Sequence, residues 1–248
     1  MRVRAIVAYE GTDYHGFQRQ AIEPTVQGVL ESALAQVTRQ QPPVLAAGRT
    51  DAGVHAEGQV IAFDVEWRHS LEALQRALNA VLPRDVAVWK TEQAAATFNP
   101  RFDAHSRCYR YTIYNAPVRS PLARRTSLHV PRPLDRQAMQ EASRCLVGRQ
   151  DFAAFGRPPQ GENSLRRVLR AEWSGELPWL YFDIEADAFL YRMVRSLVGT
   201  LLQVGWGKIT VEDLARILAS RDRECAGPTA PPRGLCLVRV NYKAGNCS

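Results

Sequence analysis

The apolar pattern opens with a short, β-branched-rich run, Arg2–Tyr9, that closes at Gly11, which predicts a strand. A helical period follows. From Thr25, just after Pro24, the residues Val26, Val29, Leu30, Ala33, Leu34 and Val37 recur at helical spacing until Pro42 and Pro43 stop them. A short strand is expected at 44–47 and a longer one at 59–66. Ser70 opens a helix with Leu71, Leu74, Leu78 and Val81 on one face, stopped by Pro83, and residues 85–91 close as a strand. The order is β-α-β-β-α-β.

The second half repeats that order without repeating its residues. Residues 107–115 place Tyr109, Tyr111 and Ile113 on one face and Arg110, Thr112 and Tyr114 on the other. Asp135 is set to cap a helix that runs to Leu146 and ends at Gly148. Strands at 165–173 and 179–186 are expected to pair across Ser174 and Gly175. A long apolar helix is expected at 189–204, a further helix after Thr210 with capping-box spacing to Asp213, and a last strand at 235–242. The fold class is therefore α+β. Two ferredoxin-like βαββαβ halves, residues 1–105 and 106–248, are expected to join into one mostly antiparallel sheet, with helices on one face and a central active-site cleft. Stretches 115–133 and 155–164, rich in Pro, Gly and Arg, read as loops that are long for mere connectors.

Composition adds little until charge is mapped. The 248 residues are ordinary for a globular chain, and no apolar run is long enough to span a membrane. The N-terminus reads as a strand, not a signal peptide, so a cytoplasmic protein is expected. Five cysteines (108, 145, 225, 236 and 247) form no C-x-x-C pair, which argues for reduced structural thiols over a disulfide framework or structural zinc. The net charge of +7 is uneven: residues 1–105 hold 10 basic and 12 acidic residues, residues 106–248 hold 22 and 13. Residues 107–170 contain 13 arginines, no lysine and only four acids. Guanidinium forks match phosphate oxygens and stack on bases, so the second half points to a polyanion, and nucleic acid fits best. An Arg-rich proteome would give the same count without that meaning.

The chemistry concentrates in Gly48-Arg49-Thr50-Asp51-Ala52-Gly53-Val54-His55. Glycines 48, 53 and 58 permit turns and let a ligand approach the backbone. A guanidinium at Arg49 beside Asp51 would favour the charged carboxylate, as a nucleophile or base requires. The same residues also suit a plain turn with a local Asp51 bond. His55-Ala56-Glu57 matches the H-x-E of zinc deaminases, but the P-C-x-x-C half is missing, so His55 is better read as a structural hydrogen-bonder. The loop Tyr14 to Gln20 mixes aromatic, amide and guanidinium groups and suits either RNA contact or packing. Arg195, among core-facing residues of the apolar helix, needs a partner; Asp51 is one candidate, and snorkelling to solvent or pairing with a surface acid is the alternative. Tyr109 could stack on a base or pack in the core.

These blocks are not independent. The 48–55 stretch resembles the active-site motif of the tRNA pseudouridine synthase A family. Phe17-Gln18-Arg19-Gln20, Thr25-Val26-Gln27, Phe98-Asn99-Pro100-Arg101-Phe102, Tyr109-Arg110-Tyr111, Met193-Val194-Arg195 and Gly234-Leu235-Cys236-Leu237 resemble further family blocks in the right order. The resemblance implies an isomerase that converts uridine to pseudouridine at positions 38, 39 and 40 of the tRNA anticodon stem-loop, acting as a homodimer without metal or cofactor. It implies that Asp51 is the catalytic aspartate, that Arg49 helps displace or replace the target base, and that Tyr109 packs on the flipped uracil. It further implies that Arg195 pairs with Asp51 and that Leu235 lines the pocket. Ser196 stands where the family commonly has Asn, and Ala230-Pro231-Pro232-Arg233 departs from the more usual Lys-Ala-x-Gly. The rival class is a non-catalytic RNA-binding protein on the same scaffold, which would not need the Arg49–Asp51 pair.

Overall fold

A computed structural model describes residues 1–158 and 161–243. Cys247, and residues 159 and 160 of the expected 155–164 loop, lie outside the described residues. The described chain separates into two compact units, Met1–His105 with residues 236–243, and Ser106–Leu235.

In the first unit, β1 (Arg2–Tyr9) turns Val3, Ala5, Val7 and Tyr9 inward, as the two-residue period of a strand requires. Helix α1 (Val26–Thr38) begins where the Thr25 hydroxyl accepts from the Gly28 amide, and it buries Val26, Leu30, Ala33 and Leu34 in one stripe. β2 (Leu45–Ala46) is only two residues long. β3 (His55–Asp64) is buried along almost its whole length. Helix α2 (Leu71–Val81), capped by Ser70, buries Leu74 and Leu78 and leads to β4 (Val86–Gln93). β1 lies antiparallel between β3 and β4, with Val3 opposite Phe63 and Ala5 opposite Ile61. The element order is the one the periodicity predicts.

In the second unit, β5 (Ala104–Asn115) pairs in parallel with the short β6 (Leu128–Val130), a strand inside the expected 115–133 loop. Helix α3 (Arg136–Ser143) is capped by Asp135, then tightens into a single turn at Arg144–Leu146 before Gly148 at φ 112°. β7 (Gly148–Asp151), β8 (Leu165–Ser174) and β9 (Trp179–Ala186) form an antiparallel set with β5, in the order β5-β9-β8-β7. Helix α4 (Met193–Gly205) is buried on nearly every side, and α5 (Val211–Ser220) opens on the expected capping box of Thr210 and Asp213.

Three boundaries differ from the pattern. The helix expected from residue 189 starts at Met193, because Tyr191 is drawn into a bridge with Arg157 and Arg192 takes a left-handed φ of 62°. The strand expected from residue 59 starts at His55. It is extended by β10 (Leu235–Tyr242), whose Cys236 and Leu237 pair in parallel with His55 and Ala56. From Cys236 onward that closing strand therefore lies with the first unit and not with the 106–248 half to which sequence position assigned it.

Candidate active site

The Asp51 loop is held from three sides within the first unit. Its base is fixed where the Ala47 amide donates to the Val60 carbonyl at 2.8 Å. The fully buried Gln59 donates through Nε2 to the Gly48 carbonyl at 2.9 Å. Thr50 points inward, 6% exposed, and its hydroxyl shares a 2.8 Å hydrogen bond with the Tyr9 hydroxyl. The Phe17 amide donates to the Thr50 carbonyl and the Gly53 amide to the Tyr14 carbonyl, so the loop after β1 clasps the turn. That clasp needs Gly11: a Cβ there would lie 2.0 Å from the Val54 carbonyl oxygen. The turn itself closes with the Val54 amide donating to the Asp51 carbonyl at 3.2 Å and Gly53 at φ 75°.

The result is a rigid ledge with Asp51 half-buried and Arg49 exposed. Among the described residues Arg49 makes no ion pair with Asp51, contrary to what adjacency suggests. Its guanidinium extends into solvent, where it is available to a ligand. Gly58 also serves a different purpose from the one expected. A Cβ there would meet the Val238 carbonyl at 2.2 Å, so this glycine admits β10 and not a ligand. His55 Nδ1 accepts from the Gly11 amide at 2.9 Å, and a nitrogen that accepts carries no proton, so its 3.7 Å approach to Glu10 is not an ion pair. His55 is thus a structural hydrogen-bonder, as expected. No group of three or more His, Cys, Asp or Glu side chains is placed to hold a metal ion among the described residues. Cys108, Cys145, Cys225 and Cys236 are not joined in disulfides.

The remaining candidates stand in the second unit. Tyr109 on β5 is 9% exposed and packs edge-on to Phe189, with ring centroids 5.0 Å apart. Arg195, in the first turn of α4, is half-buried; its Nε donates to the Ala230 carbonyl at 2.8 Å while the Ala230 amide donates back to the Arg195 carbonyl at 3.0 Å. Leu235 is buried at the start of β10. Sequence reasoning missed the residue that ties these together. Tyr111 is fully buried two positions after Tyr109, and its hydroxyl donates to the Pro231 carbonyl at 2.8 Å. Its ring also lies against Gly234, where a Cβ would come within 2.6 Å. Burial pushes the Tyr111 phenol well above its usual range, against the opposing pull of Arg195 and Arg233, so it stays a donor. The 228–235 segment is thus gripped through main-chain carbonyls. This explains how Ala230-Pro231-Pro232-Arg233 can depart from the usual residues, since a carbonyl is present whatever the side chain. Ser196, 1% exposed, shares a 3.4 Å contact with the Thr229 hydroxyl.

Against known proteins, residues 5–103 and 142–243 match the family model described as tRNA pseudouridine synthase. The chain belongs to that family. It is 46% identical to the tRNA pseudouridine synthase A of Moorella thermoacetica, over 97% of this chain and 99% of that one. It is 43% identical to the corresponding protein of Syntrophomonas wolfei, over 97% of each chain. For that of Geobacter sulfurreducens the identity is 44%, over 97% of this chain and 99% of the relative.

Family membership makes the chain an enzyme, an isomerase whose substrate is tRNA. Arg49, Asp51, Arg195 and Leu235 fall within the matched residues of this tRNA pseudouridine synthase family, and Tyr109 falls in the interval between them. The mixed α+β build, with mostly antiparallel strands in both units, is the one expected of it. No helix among the described residues is long and apolar enough to cross a membrane.

Proposed function

We propose that this enzyme isomerises uridine at positions 38, 39 and 40 of the tRNA anticodon stem-loop, with Asp51 as its one catalytic carboxylate and the target base flipped out of the helix. The observation that carries the reading is the Asp51 ledge: a half-buried carboxylate on a turn that Thr50, Gln59 and Gly11 hold in place, in a chain of this family. Pseudouridine formation breaks the N1–C1′ bond, turns the uracil and joins C5 to C1′. The hydrogen at C5 leaves as a proton and N1 gains one, so no electrons are exchanged with an outside reagent. One carboxylate can attack C1′, remove the 2′-proton to give a glycal, or add to C6 of the uracil. Each route needs water kept from the intermediate. A base in a stem must first be unstacked, at a cost of a few kcal/mol, and the exposed Arg49 guanidinium is suited to fill the space it leaves.

Tyr109 packs on the flipped uracil, Leu235 lines its pocket, and Arg195 pairs with Asp51; these roles, like action as a cytoplasmic homodimer, rest on the resemblance of the motifs. The test uses unmodified tRNA labelled with tritium at uridine C5. Wild-type protein releases tritium and Asp51→Ala does not, while tRNA binding by the variant stays within about tenfold because phosphate contacts carry most of the affinity. Transcripts with cytidine at positions 38–40 release none. Release by Asp51→Ala, or undiminished release from the cytidine transcripts, removes the catalytic or the positional part of the reading respectively.

A further inference from the structure

The segment that leads from β9 into α4 is held by its main chain against residues 156 and 157, yet it turns two side chains outward. Phe189 is engaged with Tyr109 and Leu190 is 3% exposed, but Tyr191 and Arg192 then turn outward. Tyr191 is 51% exposed, and the Arg192 guanidinium carbon stands 4.9 Å from the centre of its ring. Arg39, Arg192 and Arg221 are the non-glycine residues with positive φ among the described residues. Arg39 and Arg221 end helices, where a left-handed residue is customary. Arg192 instead precedes one, at a position that ordinarily takes an extended residue with a capping side chain, and it supplies no cap. Neither capping nor burial of the Arg192 side chain explains it. The Tyr191 amide donates to the Arg157 carbonyl at 2.9 Å, which brings a second exposed arginine alongside. Neither Arg157 nor Arg192 makes an ion pair among the described residues.

We infer that Tyr191 and Arg192 form a stacking platform for the base next to the target uridine, with Arg157 holding that nucleotide's phosphate. This rests on the reading of Tyr109 as the residue that packs on the target uracil. Flipping one base leaves its neighbour with an uncovered face, and aromatic rings and guanidinium planes are the groups that cover such faces. Two residues of chain span at most about 7 Å, so Tyr191 lies close to the Tyr109–Phe189 pair. A cation already parked over the ring spares the ordering of a flexible side chain when RNA arrives. Every base has a π face, so such a platform is indifferent to sequence. That suits an enzyme which acts at several adjacent positions with different neighbours.

The experiment uses an anticodon stem-loop RNA with 2-aminopurine, whose fluorescence falls on stacking, next to a C5-tritiated target uridine. Wild type and Tyr191→Phe quench the fluorescence; Tyr191→Ala does not, and its KM rises by about tenfold while kcat is little changed. Arg157→Ala raises KM and lowers the salt dependence but keeps the quench. Unaltered quench and KM in Tyr191→Ala overturn the platform, and tritium release by the wild type in the same tubes leaves the isomerase reading standing. Failure of the wild type to release tritium from this RNA removes the anticodon-arm reading and the platform with it.

Discussion

Tyr111 and Asp51 stand at opposite ends of what a reader of the sequence can find. Asp51 announces itself, because the small residues and Arg49 that surround it are its neighbours in the chain. Tyr111 does not, because its hydrogen-bond partner is the Pro231 carbonyl, 120 positions away, and no residue type encodes a carbonyl. Adjacency also misleads: Arg49 lies two positions from Asp51 and makes no ion pair with it, while the groups that fix the loop are Tyr9, Gln59 and Gly11. Tyr111→Phe keeps the ring against Gly234 and leaves the Pro231 carbonyl without that donor. The expected cost is about 1 kcal/mol, or roughly 2–4 °C in Tm. Because the same segment holds Arg195 and leads to Leu235, kcat should fall further than that stability loss explains, with tRNA affinity preserved. Thermal melts beside single-turnover rates decide it; a rate equal to wild type would make Tyr111 a packing residue only.

Elements that bury one face and carry their own caps were legible. The Thr25, Ser70, Asp135 and Thr210 side chains each accept from the helix they open, and the apolar spacing marks which face goes inward. Elements defined by a distant partner were not. β7 is Gly148–Asp151, four polar or small residues that pair only because β8 offers an edge, and β3 gains His55 and Ala56 only because β10 arrives beside them. The same principle governs how the Asp51 turn can be disabled without touching it. Gly11→Ala would place a methyl group against a main-chain oxygen with no flexible side chain to yield. The turn must move, so turnover should drop at least about tenfold, a loss of the kind that small displacements of reacting groups cause. Gel-shift affinity for tRNA should hardly change. Normal turnover in this variant would show that the clasp does not set the geometry of Asp51.

At the scale of the whole molecule, charge and fold divide differently. The acidic excess lies in residues 1–105 and the basic excess beyond them. Arg119, Arg124, Arg132 and Arg136 are exposed and have no ion-pair partner among the described residues. Replacing all four by Gln should weaken tRNA binding and reduce the slope of log K against log salt by up to about 0.9 per lost phosphate contact. Filter binding across a potassium chloride series would show it, and an unchanged slope would place the RNA elsewhere. The catalytic rate on bound tRNA should stay the same, since these residues lie outside the candidate site. The parallel pairing of β10 with β3 reaches further still. During synthesis, the strand that follows the Asp51 turn leaves the ribosome early, yet its partner at Cys236 and Leu237 is made only after the whole second unit. A nascent chain therefore carries every residue of the Asp51 motif long before the sheet beside it is complete, and a prematurely terminated product never acquires that support. The support beside the Asp51 motif thus arrives with β10, long after the motif itself has been made.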